Sequence, residues 1–293
     1  MNEPVPQLPV VEFYITNVCN LACENCNRFN NYRFRGWQAW QDHAEEYERW
    51  SRLIDFKQIS ILGGEPLLNP TVLDWCDGIR RLWPKSTIQL VSNGYHINRV
   101  AGLYNALSRN RILLYVSIHN AESQPWIQDQ IQQFLGPLRS ITSESSEVTL
   151  WKGLPTVWLQ KEYDFVTSSV RRNHQGNLSL HDSDPVKAHD ICTFVRSGTY
   201  HFIRGKLYKC GPVALMPEFD SQYNLDISEQ DRALLNSYKP FTAQDFADNS
   251  EQVLHDIQQP LAQCRFCPDS IHQQRIAAQP KALSKTINII KRS

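Results

Sequence analysis

A chain of 293 residues, 41% hydrophobic and 20% charged, can bury the core of one large domain or of a large and a small one, which excludes a disordered chain. Lys plus Arg and Asp plus Glu both number 30, for a formal net charge of zero, so the basic excess of a non-specific nucleic-acid binder is missing. No run of about 18 apolar residues offers a membrane span, and the start "MNEPVPQLPV" lacks the basic head and apolar core of a secretory signal. The expected location is therefore cytoplasmic, with neither membrane nor nucleic acid as a partner. Thiols stay reduced there, so the eight cysteines read as metal ligands or catalytic groups rather than disulfides.

In chain order, "VVEFYIT" (10–16) mixes β-branched and aromatic residues and predicts a strand running into a cysteine-rich loop. Trp40, His43, Ala44, Tyr47, Trp50 and Ile54 recur at helical spacing. "QISIL" (58–62) predicts a short strand that stops at "GGEP", and Asn69-Pro70 reads as an N-cap and first helical residue. Val72, Trp75, Cys76, Ile79 and Trp83 form the stripe of that helix, which makes Cys76 a small core residue. "TIQLVSNG" and "RILLYVSIHN" are further strands; a helix through Val100, Leu103, Tyr104 and Leu107 lies between them, and another opens at Ser123-Gln124-Pro125. Strand then helix, four times over, is the pattern of parallel βαβ units. Ligands of such folds sit at the carboxyl ends of the strands, where the cysteines, "GGEP", "SNG" and "SIHN" all fall. Beyond residue 141, "EVTLWKG", "TVWLQKE" and "NLSLHD" are candidate strands, and "TYHFIRGKLYKCG" reads as a hairpin with Arg204-Gly205 at its turn. Helical stretches follow around 228–238 and 243–258.

Cys19, Cys23 and Cys26 form C-x3-C-x2-C. Three thiolates on one short loop can each hold one iron of a cubane and leave the fourth iron open, where ordinary ferredoxins supply four cysteines. A zinc site that borrows a distant fourth ligand is the alternative. This spacing, followed by Gly63-Gly64-Glu65-Pro66 at the end of the second strand, resembles the radical S-adenosylmethionine (SAM) superfamily. The resemblance implies a partial (β/α)6 TIM-like barrel in an α/β fold, a [4Fe–4S] cluster on Cys19, Cys23 and Cys26, and SAM chelated to the open iron. It further implies that Gly63, Gly64, Glu65 and Pro66 hold the SAM amino group, with polar contacts from Ser92, Asn93 and Ser117. Reductive cleavage of SAM would then give a 5′-deoxyadenosyl radical that abstracts hydrogen from substrate. Asn25 departs from the family, which often has an aromatic residue before the third cysteine, so an adenine contact there would be through backbone only.

Cys192, Cys210, Cys264 and Cys267 look like the Twitch form of the SPASM extension, in which four cysteines hold an auxiliary [4Fe–4S] cluster; a four-cysteine zinc site fits the same spacing. With four thiolates no iron is open, so electron transfer is the natural task, and a net oxidation of substrate (dehydrogenation or cross-link) follows. The expected organisation is an N-terminal arm (1–9), a barrel (10–190), an auxiliary-cluster segment (191–270) and a helical tail (271–293). Expected partners are a small-molecule or peptide substrate and a low-potential donor such as flavodoxin or ferredoxin. Only 18 residues precede Cys19, which favours a small molecule over a peptide recognised by a preceding leader-binding domain; a peptide maturase without one is the alternative. Arg28, Arg33 and Arg35 offer charge to an anionic substrate but read better as a solvated loop. His119, at a strand end, is placed to line the pocket or relay a proton, and equally to serve as a hydrogen-bonded structural histidine. A zinc-binding interaction module without catalysis is the reading from another functional class.

Overall fold

The computed structural model describes residues 5–270, apart from 24–25, 33–34, 138, 163 and 166–167, together with 274–275 and 279–280. Six runs rich in β-branched and aromatic residues form parallel strands: β1 (Gln7–Tyr14), β2 (Asp55–Leu62), β3 (Thr87–Ser92), β4 (Leu113–Ile118), β5 (Val157–Lys161) and β6 (Thr199–Ile203). They lie side by side in the order β6-β1-β2-β3-β4-β5 within a nine-stranded sheet. Antiparallel strands flank the set, Lys206–Tyr208 on β6 and Val148–Trp151 on β5. Helices α1 (Ala44–Ser51), α2 (Val72–Leu82), α3 (Leu103–Arg109) and α4 (Gln124–Leu135) follow the first four strands in turn. This is the expected α/β partial barrel.

The segment after residue 141 resolves into strands at all three candidate sites, but only "TVWLQKE" joins the parallel set. "EVTLWKG" supplies the antiparallel neighbour, and Leu178–Leu180 pairs with Val170–Arg172 in a separate hairpin. The sixth parallel strand comes from beyond residue 190, where the barrel was expected to end. Thr199–Ile203 is buried at every residue, as a strand with neighbours on both edges and packing on both faces must be. Short helices α5 (Pro185–Ile191) and α6 (Thr193–Ser197) precede β6, and α7 (Gly211–Tyr223) follows its hairpin. Where the C-terminal tail is described it is extended rather than helical. Gln274–Arg275 pairs with Asp164–Phe165, and Gln279–Pro280 with Leu21–Ala22; residues 281–293 lie outside the described residues. Among the described residues no helix is long and apolar enough to cross a membrane.

Strand alternation sends side chains to two cores. Val11, Phe13, Ile59, Ile61, Leu90, Val116, Leu159 and Phe202 pack against Tyr47 and Trp50 of α1, Trp75 and Ile79 of α2, Leu107 of α3 and Ile131 of α4. Cys76 is fully buried in this core. On the opposite face, Tyr14, Leu62 and Ile203 meet Phe29 and the α7 residues Leu215, Met216 and Phe219. The β6 hairpin is also pinned from the helix side. Trp50 Nε1 donates to the Gly205 carbonyl at 2.9 Å, and the Gly205 N–H donates to Tyr47 Oη at 3.1 Å.

Within α2, Gly78 lets Trp40 lie against the helix; a Cβ there would stand 2.2 Å from the indole. Gly78→Ala is expected to destabilise the protein by about 1–3 kcal/mol through overpacking, despite the better helix propensity of alanine. The check is a lower urea-unfolding midpoint at unchanged slope.

Candidate functional site

Past the ends of β1 and β2 the chain keeps the strand pairing going. The Ile15 N–H donates to the Leu62 carbonyl at 2.8 Å, the Gly64 N–H to Thr16 at 2.7 Å and the Glu65 N–H to Val18 at 2.8 Å. The cysteine loop is thereby zipped along "GGE". A Cβ on Gly63 would stand 2.5 Å from the Thr16 oxygen, and one on Gly64 would stand 2.3 Å from the Val18 oxygen and 2.9 Å from Cys19 Cβ. Both glycines are thus required by the loop that carries the cysteines. Asn30 braces the far side: its amide donates to Tyr14 Oη at 3.0 Å and to the Asn17 carbonyl at 2.8 Å.

Glu65 is fully buried. Its carboxylate accepts from the Leu67 N–H (3.0 Å), Ser92 Oγ (2.9 Å) and the Asn93 N–H (2.8 Å). Burial pushes its pKa up to about 7 against the pull of those three hydrogen bonds. The Asn93 amide in turn donates to Asn20 Oδ1 at 2.8 Å, tying the third strand end to the cysteine loop. Pro66 is buried at the start of the short 3-10 turn that Glu65 caps.

Ser117 and His119 complete the row. His119 Nδ1 lies 3.2 Å from the Glu162 carbonyl, and His119 Nε2 lies 3.1 Å from Ser117 Oγ. A carbonyl only accepts, so Nδ1 carries the proton and Nε2 accepts from the serine. Burial lowers the His119 pKa, in keeping with that neutral tautomer. Cys19, Cys23, Cys26, Gly63, Gly64, Ser92, Asn93, Ser117 and His119 all line one cavity of about 260 Å³, joined by Arg28 and Glu162. Glu162 also accepts from Tyr115 Oη at 2.7 Å.

Arg28 is paired with Glu12, and Glu12 lies 2.6 Å from Nε2 of the fully buried His201. Burial opposes ionisation of Glu12, but the Arg28 charge and His201 outweigh it and hold the carboxyl down at about 2. Arg35 is exposed, as a solvated loop residue should be, and Arg33 falls outside the described residues. Sequence reasoning missed Glu12, His201 and Glu162. A carboxylate in the middle of the apolar run "VVEFY" was the available signal for the first.

The second cysteine set converges from four places. Cys192 separates α5 from α6, Cys210 caps α7, and Cys264 and Cys267 lie on and just after the 3-10 turn Ala262–Phe266. All four line a cavity of about 530 Å³, together with Lys209. Ser169 Oγ stands 3.2 Å from Cys267 Sγ. Burial pushes Cys267 up to about 12 and raises Cys210 and Cys264. Bare thiolates are disfavoured there, and a bound cation would supply the missing compensation. Burial likewise lowers the Lys209 pKa, opposed by the neighbouring Cys264, Cys210 and Cys192.

Among the described residues no group of three or more His, Cys, Asp or Glu side chains is disposed to hold a single metal ion. Three thiols line the first cavity and four line the second, donor sets that a cubane can take and that zinc can take as well.

Residues 10–130 match the family model described as a 4Fe-4S single cluster domain. No curated protein matches the chain. Among solved structures it is similar to SuiB of Streptococcus suis bound to S-adenosylmethionine (19% identity over 43% of this chain and 31% of SuiB, TM-score 0.35). It is similar to anSMEcpe with bound AdoMet and the Cp18Cys peptide (17% identity, 45% and 40% of the two chains, TM-score 0.34). BtrN in complex with AdoMet and 2-DOIA aligns over 91% of this chain and 85% of its own at 13% identity, with a TM-score of 0.43. The chain thus covers less than half of SuiB and of anSMEcpe.

Glu65 gives a pH test. Its folded pKa of about 7 lies above its ordinary value of 4.5, so over that window the native state holds a proton that the unfolded chain has released. Stability of the iron-free protein is expected to fall as pH rises from about 4.5 to about 7, by on the order of 3 kcal/mol. In Glu65→Gln that slope should flatten in urea unfolding; an unchanged slope would assign the pH dependence elsewhere.

Proposed function

We propose that the chain is a radical SAM enzyme that carries an auxiliary [4Fe–4S] cluster and oxidises a small polar substrate. The observation that carries this reading is the single cavity at the carboxyl ends of β1 to β4. Three cysteines, the glycine pair and the polar strand-end residues predicted to contact SAM all line it. When bound, the cluster and SAM supply one-electron cleavage of SAM to a 5′-deoxyadenosyl radical. Cys19, Cys23 and Cys26 would hold the cluster, with one position left for SAM. Gly63 and Gly64 keep the loop flat against the strand end, and Glu65 anchors Ser92 and Asn93, whose polar groups border the same space. Ser117, His119 and Glu162 line the same cavity, where a proton can be held or passed.

The substrate side of the sheet supports a polar ligand. Gln58 of β2, Gln89 of β3, Tyr115 of β4 and Trp158 and Gln160 of β5 share the face of Glu12 and Ser117 by strand register and alternation, and all five are partly exposed. Cys192, Cys210, Cys264 and Cys267 would hold the second cluster with no iron free. That cluster would supply an electron acceptor for the oxidation, and a flavodoxin or ferredoxin would be the low-potential donor.

Anaerobically purified protein is expected to be brown, to hold about eight irons in two cubanes, and to release 5′-deoxyadenosine when reduced in the presence of SAM. Replacing Cys19, Cys23 and Cys26 with alanine should leave about four irons and abolish 5′-deoxyadenosine. A colourless protein with stoichiometric zinc would overturn the reading in favour of an interaction module. Deuterium passed from a labelled candidate metabolite or peptide into 5′-deoxyadenosine would name the substrate.

A further inference from the structure

Lys209 is buried to 5% exposure in a cavity otherwise notable for its four thiols. Its Nζ donates to the Ile257 carbonyl at 2.7 Å, which uses one of the three N–H bonds of an ammonium group. Its own backbone is held too, the Lys209 N–H donating to Tyr238 Oη at 3.0 Å. A lysine is almost never buried this far without an anionic partner. Among the described residues that line this cavity there is no Asp or Glu, and the groups there that can carry negative charge are Cys192, Cys210, Cys264 and Cys267.

We propose that Lys209 sets the reduction potential of the auxiliary cluster, a role that rests on the cluster reading given above. A cubane with four thiolate ligands carries two negative charges when oxidised and three when reduced. A fixed ammonium group in a low-dielectric cavity stabilises the second state more than the first. The four thiol sulfurs line the same cavity as Lys209, and any hydrogen bond from a spare N–H to sulfur would raise the cluster potential in the same direction. Lys209 would therefore make the auxiliary site a better acceptor for the electron given up as the substrate is oxidised. It is a tuning residue; it touches neither substrate nor SAM in this account.

The test uses full-length protein with Cys19, Cys23 and Cys26 replaced by alanine, so that one cluster remains to be read. Redox titration followed by electron paramagnetic resonance gives its midpoint, and iron analysis gives its occupancy. Lys209→Met and Lys209→Gln are each expected to keep about four irons and to lower the reduced-to-oxidised ratio at a fixed potential by at least about tenfold, or about 59 mV for one electron. Glutamine keeps a donor for the Ile257 carbonyl, so it separates loss of charge from loss of that hydrogen bond; Lys209→Arg, which keeps the charge, should lie closer to the parent. Full iron with an unmoved midpoint in both uncharged variants overturns the proposal and leaves the cluster reading standing. Loss of iron from both makes Lys209 a structural residue and also overturns it. A parent protein without iron at this site overturns the cluster reading and the proposal together.

Discussion

The site depends on a backbone contact. Beyond β1 and β2 the chain could diverge, as strand ends usually do, but three further N–H to carbonyl bonds hold 15–18 against 62–65. That pairing fixes where Cys19 begins its loop and sets Glu65 in the interior, with no side chain allowed at either glycine between. Everything else in the first cavity is hung from it. Glu65 collects Ser92 and Asn93, Asn93 reaches back to Asn20, and Asn30 secures the loop from the other side. Among the described residues the buried carboxylate has no ion-pair partner, and its charge is borne by three hydrogen bonds. This is why it sits near pH 7 while Glu12, half-buried and beside Arg28 and His201, sits near 2. The two carboxylates are driven apart by what neighbours them.

Most of the strand framework was legible because its signals are local. β-branched and aromatic runs placed β1 to β4, and the residues that end them were correctly grouped as one rim. Helix starts were less legible because tertiary contacts took the capping groups. Asn69 reads as an N-cap, yet its amide donates to the Ile15 and Gln38 carbonyls while its Oδ1 holds the Thr71 N–H, and α2 starts only at Val72. The helix foreseen from Val100 waits for Leu103, since Gly102 adopts a φ of +81°. The continuous helix foreseen from Trp40 is broken at His43, whose φ of −134° separates a 3-10 turn from α1. No local pattern announced that "TYHFI" would lie parallel to β1, because which strand neighbours which is decided by long-range packing.

For the site, cysteine spacing marked the two sets that the fold gathers into cavities, while the groups packed beside them were hidden. Lys209 sits beside Cys210 in the sequence but acquires meaning only when Cys192, Cys264 and Cys267 arrive from other segments. The resemblance assigns Gly63 and Gly64 to the SAM amino group. The fold needs them first for the cysteine loop, a requirement that depends on which backbone lies opposite.

The pairing of β6 with β1 also governs how the two cysteine sets stand to each other. Register sets Glu12 beside His201 and Phe13 beside Phe202, and neighbouring strands lie about 4.8 Å apart. One strand continues into the loop of Cys19, the other through the turn at Arg204-Gly205 towards Cys210. Their separation is therefore a property of the sheet rather than of a linker. The Glu12–His201 contact and the Glu12–Arg28 pair span the same seam, with Arg28 lining the first cavity. On the other side, a Cβ at Gly211, next to Cys210, would stand 3.0 Å from His201 Nε2. A hinged second domain would let the two cavities drift apart. Two paired strands, one leading to each cavity, remove that freedom.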